Sequence, residues 1–271
     1  MAVSAKRSPN TSSSKTDAGR PKDEKEYVVG LEKGLSIIEA FGLKNRPLTL
    51  SEAAEVTGHT RASTRRSLLT LQRLGYVESD GKLFRLAPRV LRLGHAYLTS
   101  TALARTIQPL LEAISERTQE STSFAVLDGS DVVFVARAAT RRSLSNGLGL
   151  GSRLPVYGAA TGRVLLADLP EAEAELRLSR MARHKLTPNT RIDVPGLMSY
   201  LADVRKQGYA ISNEELELGV RSLAVLVCDG KGQTIGAISI VSSTSRRTLD
   251  NMLEELLPEL ERARWMVVSL L

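Results

Sequence analysis

The sequence predicts an α+β protein with an N-terminal winged helix-turn-helix domain, a linker helix and a C-terminal domain of mixed sheet and helix. Three observations lead there. Residues 49–74 carry the period of two short helices around a tight turn. Positive charge collects in the first third of the chain. Beyond about residue 120 the texture changes to short β-rich runs alternating with helical ones.

Residues 1–26 are rich in Ser, Thr, Lys, Pro and Gly and nearly free of large apolar residues, so a disordered tail is expected. From Tyr27 to Phe41 the spacing of Leu31, Leu35, Ile38 and Phe41 predicts a first helix that packs behind the next two. Pro47 and Thr49 mark the entry to a second helix, and Gly58 is placed to end it in the left-handed conformation. Thr60 then caps a third helix. In it Thr64, Ser67, Leu68 and Leu71 share one face, while Ala62, Arg65, Arg66 and Arg73 take the other. Gly75 closes the turn. Tyr76–Glu78 and Leu83–Leu86 flank Ser-Asp-Gly-Lys as a strand–turn–strand wing. The winged helix-turn-helix therefore occupies 27–87, with the helix pair at about 50–69.

Pro88 opens a linker helix over 88–104 with Val90, Leu91, Leu93 and Leu98 as its apolar positions, and Leu103–Thr118 reads as a helix interrupted near Pro109. The remaining domain, 105–271, contains a hairpin about Asp128–Asp131 and a strand running into a helix at LPVYGAATGRVLLADL. SYLADVRKQGYAIS passes from helix back to strand. A second hairpin turns about Asp229–Gly232, and an amphipathic helix from roughly Ser245 closes the chain.

The formal net charge of the 271-residue chain is +7. Residues 27–92 alone carry eleven basic and six acidic residues, whereas the chain beyond 92 balances. A basic helix on an apolar back, held by a preceding helix, has the geometry that enters the major groove of double-stranded promoter DNA. The candidate contacts are Thr60, Arg61, Ser63, Arg65 and Arg66 on the third helix, with Lys82 and Arg85 on the wing against phosphates. A solvated basic face on an ordinary helix is the alternative reading.

A single cysteine, Cys228, excludes internal disulfides and reads as a buried, inert thiol in LAVLVC. No apolar run approaches a membrane span, and no signal core precedes the first domain, so a cytoplasmic protein without a membrane partner is expected. His59, His95 and His184 form no metal-spaced pair, and neither a nucleophile elbow nor a Cys–His pattern appears. No catalytic residue, cofactor or metal is therefore assigned. A small-molecule enzyme and a nonspecific architectural DNA binder remain as rival readings.

LEKGLSIIEAF, the helix pair, LGYVESDGKLFRLAPRVLRLG, LPVYGAATGRVLLA and GYAISNEELELGVRSLAVLV, in that order, resemble the isocitrate-lyase-regulator (IclR) family of bacterial transcription factors over about residues 27–271. TRASTRRSLLTL, RLAPRVLRLGHAYLTS, VFVARAATRRSL and ELELGVRSLAVLV resemble the subgroup that controls protocatechuate and 4-hydroxybenzoate breakdown through the β-ketoadipate pathway. The resemblance implies a GAF-like effector-binding domain and a small carboxylic acid effector. It also implies homodimers or dimers of dimers on palindromic DNA, and contact with RNA polymerase where a member activates. An IclR-type repressor of an unrelated carboxylate-utilisation operon is the alternative.

Where a strand gives way to a helix at Tyr157–Gly162, free N–H groups among small residues make a ready carboxylate site. The resemblance implies contacts at Ala160 and Thr161 on this turn, and at Ser212, Ser222 and Ser239. The family can place Asp at the position of Ser212, Cys at Ser222 and Ser at Val241. This chain thus implies a less acidic, more apolar pocket suited to an aromatic acid. For each serine the alternative is a hydroxyl satisfied by nearby backbone. Arg137, Arg141 and Arg142 read either as partners for an effector carboxylate or as a subunit contact or solvated loop. Gly147–Gly151 reads as a pocket wall, since it lacks the Gly-Lys-Ser/Thr ending of a phosphate loop.

Overall fold

The computed structural model describes residues 27–100, 102–140 and 148–270. The predicted tail 1–26, together with Arg141, Arg142 and Gly147, lies outside them. The chain divides into two compact units, one up to Arg92 and one from Leu93 onward.

In the first unit, helix α1 (Val29–Lys44) is followed by a short strand β1 (Leu48–Thr49), helices α2 (Leu50–Thr57) and α3 (Arg61–Arg73), and strands β2 (Val77–Ser79) and β3 (Leu83–Leu86). The three strands form an antiparallel sheet in the order β1-β3-β2, so β1 adds a third strand to the expected wing. Its sequence signal is too short to register as a strand.

The core joins Ile37, Ala40 and Phe41 of α1 to Leu48, Ala53, Leu68, Leu71 and Val77. Of the predicted stripe, Phe41 is buried and Ile38 packs against this core, whereas Leu31 and Leu35, nearer the start of the helix, are 62% and 46% exposed.

Helix α2 opens on a capping box in which the Thr49 hydroxyl accepts from the Glu52 N–H and the Thr49 N–H donates to Glu52 at 2.8 Å. Arg46 donates to the same carboxylate at 2.6 Å. With the Arg46 bond as the larger cause, followed by the Thr49 backbone bond, the Glu52 carboxyl falls from 4.5 to about 2. A carboxyl lowered on folding stabilises the fold above its ordinary value and loses that contribution as pH falls through the folded one. The wild-type advantage over Glu52→Gln in urea midpoint is therefore expected to shrink between about pH 4.5 and 2. A gap unchanged across that window would show the carboxylate to be unlinked to stability. Gly58 ends α2 at φ +67°, as its type and position require.

After a 3-10 turn at Pro88–Val90 come α4 (Leu91–Ser100) and α5 (Ala102–Thr118). Contrary to the sequence expectation, α5 runs unbroken through Pro109. Pro109 and Arg105, whose carbonyl loses its helical partner, are both exposed, so the break falls on the solvent side of the helix.

The second unit is built on a six-stranded antiparallel sheet in the order β6-β5-β4-β9-β8-β7. The strands are β4 (Ser121–Asp128), β5 (Asp131–Ala138), β6 (Arg153–Pro155), β7 (Tyr209–Asn213), β8 (Val220–Cys228) and β9 (Thr234–Ser243). Gly129 and Gly232, both at positive φ, make the two predicted hairpin turns.

One face carries Phe124, Val135, Leu223, Val225, Ile238 and Ile240, packed on α5 and on the C-terminal helices. These begin at Leu249 under a Thr248 cap, pass through a π-helical turn at Met252–Leu256 and continue as a helix over Leu257–Leu270. The other face carries small residues, Ala125, Ala210, Ala224 and Ala237, beneath α6 (Ala160–Asp168), α7 (Glu171–Arg180) and α8 (Val194–Gln207). Cys228, at the end of β8, is half-buried rather than sealed in the core, with its Sγ 3.7 Å from Thr234 Oγ1. Among the described residues no helix is long and apolar enough to cross a membrane.

Candidate functional site

In the first unit, α3 buries Thr64, Leu68 and Leu71 and turns Arg61, Ala62, Arg65, Arg66, Leu69 and Arg73 outward. Thr60, itself exposed, caps the helix by accepting the Ser63 N–H at 3.3 Å. Among the described residues none of the four arginine side chains is engaged by a carboxylate or a carbonyl. They form an unneutralised cationic face. Ser63 departs from the sequence assignment. It is 8% exposed and lies against the interior beside Thr64, because the first turn of α3 tucks under α1 and α2. As placed, its hydroxyl does not reach the outer face.

On the wing, Lys82 is exposed and Arg85 lies 3.6 Å from Asp80, a half-exposed pair that a phosphate can displace. Leu69, 42% exposed in the midst of the arginines, escaped the sequence reading. It falls between two buried leucine positions and resembles core unless the helical angle is followed.

In the second unit, α6 starts on Ala159, which supplies no side-chain cap. The first N–H groups of the helix are thus left without an intrahelical acceptor. The close seat of this turn depends on Gly162, where an added Cβ would come within 2.4 Å of the Val156 backbone. Ala160 and Thr161 are 1% and 3% exposed at this end.

Beneath them, Ser212 of β7 pairs with Ser222 of β8, and Ser239 of β9 pairs with Ala224. Strand alternation puts all three serines on the face of Ala210, Ala224 and Ala237, the face that α6 covers. Ser212 and Ser239 are each 3% exposed, and Ser222 is half-buried. Among the described residues no hydrogen-bond partner meets the hydroxyls of Thr161, Ser212, Ser222 or Ser239. Four hydroxyls thus accompany the uncapped start of α6.

Arg137 lies on the same sheet face, its guanidinium 5.8 Å from the Phe134 ring, and burial lowers its pKa. Two further residues of the site were not singled out from the sequence. Arg163, wholly buried, forms a bidentate pair with Glu215 at 2.6 and 2.5 Å and also donates to the carbonyls of Tyr157 and Ile211. Ser123 of β4, 1% exposed, pairs with Ser239. Among the described residues no cluster of His, Cys, Asp and Glu is set to hold a metal.

The same two-part arrangement is found in proteins of known sequence. The profile of the IclR helix-turn-helix domain matches residues 30–81, and that of the bacterial transcriptional regulator IclR C-terminal domain matches residues 95–265. The chain belongs to the IclR family. As an IclR-type protein it is a DNA-binding transcriptional regulator and not an enzyme, which removes the enzymatic alternative.

The Pca regulon regulatory protein of Pseudomonas putida is 38% identical over 234 residues, spanning 86% of this chain and 80% of that one. The p-hydroxybenzoate hydroxylase transcriptional activator of Acinetobacter baylyi is 37% identical over 239 residues, 86% of this chain and 88% of that one. Among solved structures, a transcriptional regulator from Rhodococcus sp. RHA1 is 39% identical with a TM-score of 0.76, covering 90% of this chain and 98% of that chain. The inducer-binding domain of the Acinetobacter PobR transcription factor, a double mutant in complex with 3-hydroxybenzoic acid, is 32% identical with a TM-score of 0.59. It covers 62% of this chain and 98% of that chain.

Proposed function

We propose that this IclR-type regulator controls genes for aromatic-acid degradation, of the protocatechuate and 4-hydroxybenzoate class, and that it responds to a small carboxylic acid held under α6. The observation that carries the reading is the set of hydroxyls without a partner among the described residues, Thr161, Ser212, Ser222 and Ser239, near the uncapped N-terminus of α6. A carboxylate there receives N–H groups and hydroxyl donors together, and the small apolar sheet face below accepts a ring. The relatives named above, and the hydroxybenzoate held by the PobR domain, support an aromatic acid.

On DNA, Arg61, Arg65 and Arg66 enter the major groove with Thr60 at the helix start, and Leu69 meets a thymine methyl. Lys82 and Arg85 hold phosphates. The chain acts in the cytoplasm as a homodimer or a dimer of dimers. The support for self-association is α4, which buries none of its residues and leaves Leu91 and Tyr97 75% and 45% exposed. Contact with RNA polymerase follows where the bound site lies upstream of a promoter that the protein activates.

The test pairs two measurements on the full chain. Selection from a random duplex pool is expected to return an inverted repeat, and 4-hydroxybenzoate, 3-hydroxybenzoate or protocatechuate is expected to raise the melting temperature. Recovery of no symmetrical sequence defeats the DNA half. The absence of a shift with all three acids defeats the effector half.

A further inference from the structure

We propose that Ser123, flanked by Arg137, holds the ring hydroxyl of the effector at the end of the pocket opposite its carboxylate. The proposal rests on the effector reading above and adds to it the second recognition point and the class of ligand, an aromatic acid that also bears a hydroxyl.

Ser123 is 1% exposed, and its hydroxyl is sealed from solvent without any hydrogen-bond partner among the described residues. A buried hydroxyl left unpaired is costly, and folds retain one where it serves a function. Its direction follows from register. Ser123 pairs with Ser239 on β9 and with Arg137 on β5, while its neighbour Phe124 packs into the opposite layer with Val135 and Ile238. Ser123 therefore shares the face of Ala125, beneath α6, with Ser239.

Two positions then stand at opposite ends of one polar row. At the near end Arg163, in the first turn of α6, donates to the Ile211 carbonyl, so the N-terminus of α6 sits over Ser212 and Ser222. At the far end are Ser123 and Arg137. Ser123 lies two strands from Ser222 and two residues along the strand direction, which separates their Cα atoms by roughly 12 Å. The side chains rise side by side off the sheet, so two hydrogen bonds of about 2.8 Å leave roughly 6 Å for the ligand, the span of a benzene ring with an oxygen at each end.

The test compares full-length wild type with Ser123→Ala by calorimetric titration with 4-hydroxybenzoate, 3-hydroxybenzoate and benzoate. Wild type is expected to bind at least one hydroxybenzoate tenfold or more tightly than benzoate. Ser123→Ala is expected to bring that ratio within about threefold while leaving the benzoate affinity unchanged.

The apo melting temperature of Ser123→Ala supplies the control for folding. It is expected to equal or exceed that of wild type, since an unpaired hydroxyl is removed; a structural hydroxyl with a hidden partner would lower it. A hydroxybenzoate-to-benzoate ratio that survives in Ser123→Ala overturns the proposal and leaves the effector pocket standing. Wild type that binds benzoate and the hydroxybenzoates equally also overturns the proposal alone. Binding of none of the three overturns both.

Discussion

Replacing Glu215 with glutamine is expected to destabilise the C-terminal unit by about 3–5 kcal/mol, because it strands a charge in the interior. The Arg163 and Glu215 side chains are 0% and 5% exposed. Arg163 also lies 4.8 Å over the Tyr200 ring, and Glu215 accepts the Arg191 N–H at 3.0 Å. The pair ties the start of α6, through the Tyr157 carbonyl, to β7 and to the loops that follow α7 and β7. Glutamine matches the shape of glutamate but leaves the guanidinium uncompensated. Urea denaturation of the second unit, followed by circular dichroism, reads the loss directly.

The double variant Arg163→Met with Glu215→Leu separates charge from packing. It is expected to recover much of the single-variant loss, since no isolated ion remains. Recovery is incomplete because the Tyr157 and Ile211 carbonyls lose their donor. Equal stability of Glu215→Gln and wild type would mean that water reaches the pair and that the α6 turn is held by packing alone. Both variants are also expected to blunt any effector response, since the uncapped end of α6 is positioned through Arg163.

The separate legibility of these parts follows from the range of the forces that make them. The caps at Thr49 and Thr60, the stop at Gly58 and the turns at Gly129 and Gly232 are local chemistry, and each stands where its residue type predicts. Arg65 and Arg66 read correctly because a helical angle is fixed by spacing alone. On α1, Ile38 and Phe41 read correctly, but Leu31 and Leu35 continue the same apolar stripe and only the tertiary partner sets where the contact ends. The burial of Ser63 has the same origin. Ser123 shares parity with Ser121 and Ala125, a signal present in STSFA, but its meaning depends on pairing with Ser239 more than a hundred residues later. Arg163 and Glu215 are fifty-two positions apart, and an arginine inside TGRVLLA gives no local sign that its charge will be buried.

Replacing Arg65 with alanine is expected to lower affinity for the selected DNA site by about 5- to 150-fold per half-site, the cost of about 1–3 kcal/mol for each base-reading contact. The side chain is exposed near the middle of the outer face of α3, one turn from the capped N-terminus and clear of the core contacts made by Leu68 and Leu71. Its loss therefore falls on recognition and not on folding, so the melting temperature is expected to stay within a degree or two of wild type.

Lys82→Ala supplies the contrast. A wing residue that grips phosphate weakens all duplexes alike and lowers the slope of log affinity against log salt by about 0.9 for each subunit bound. Arg65→Ala, by comparison, narrows the gap between the selected repeat and a scrambled duplex. If Arg65→Ala weakened both duplexes equally and shifted the salt slope as Lys82→Ala does, Arg65 would be a phosphate clamp. Sequence reading would then fall to Arg61 and Arg66, whose guanidinium groups share the same unneutralised face.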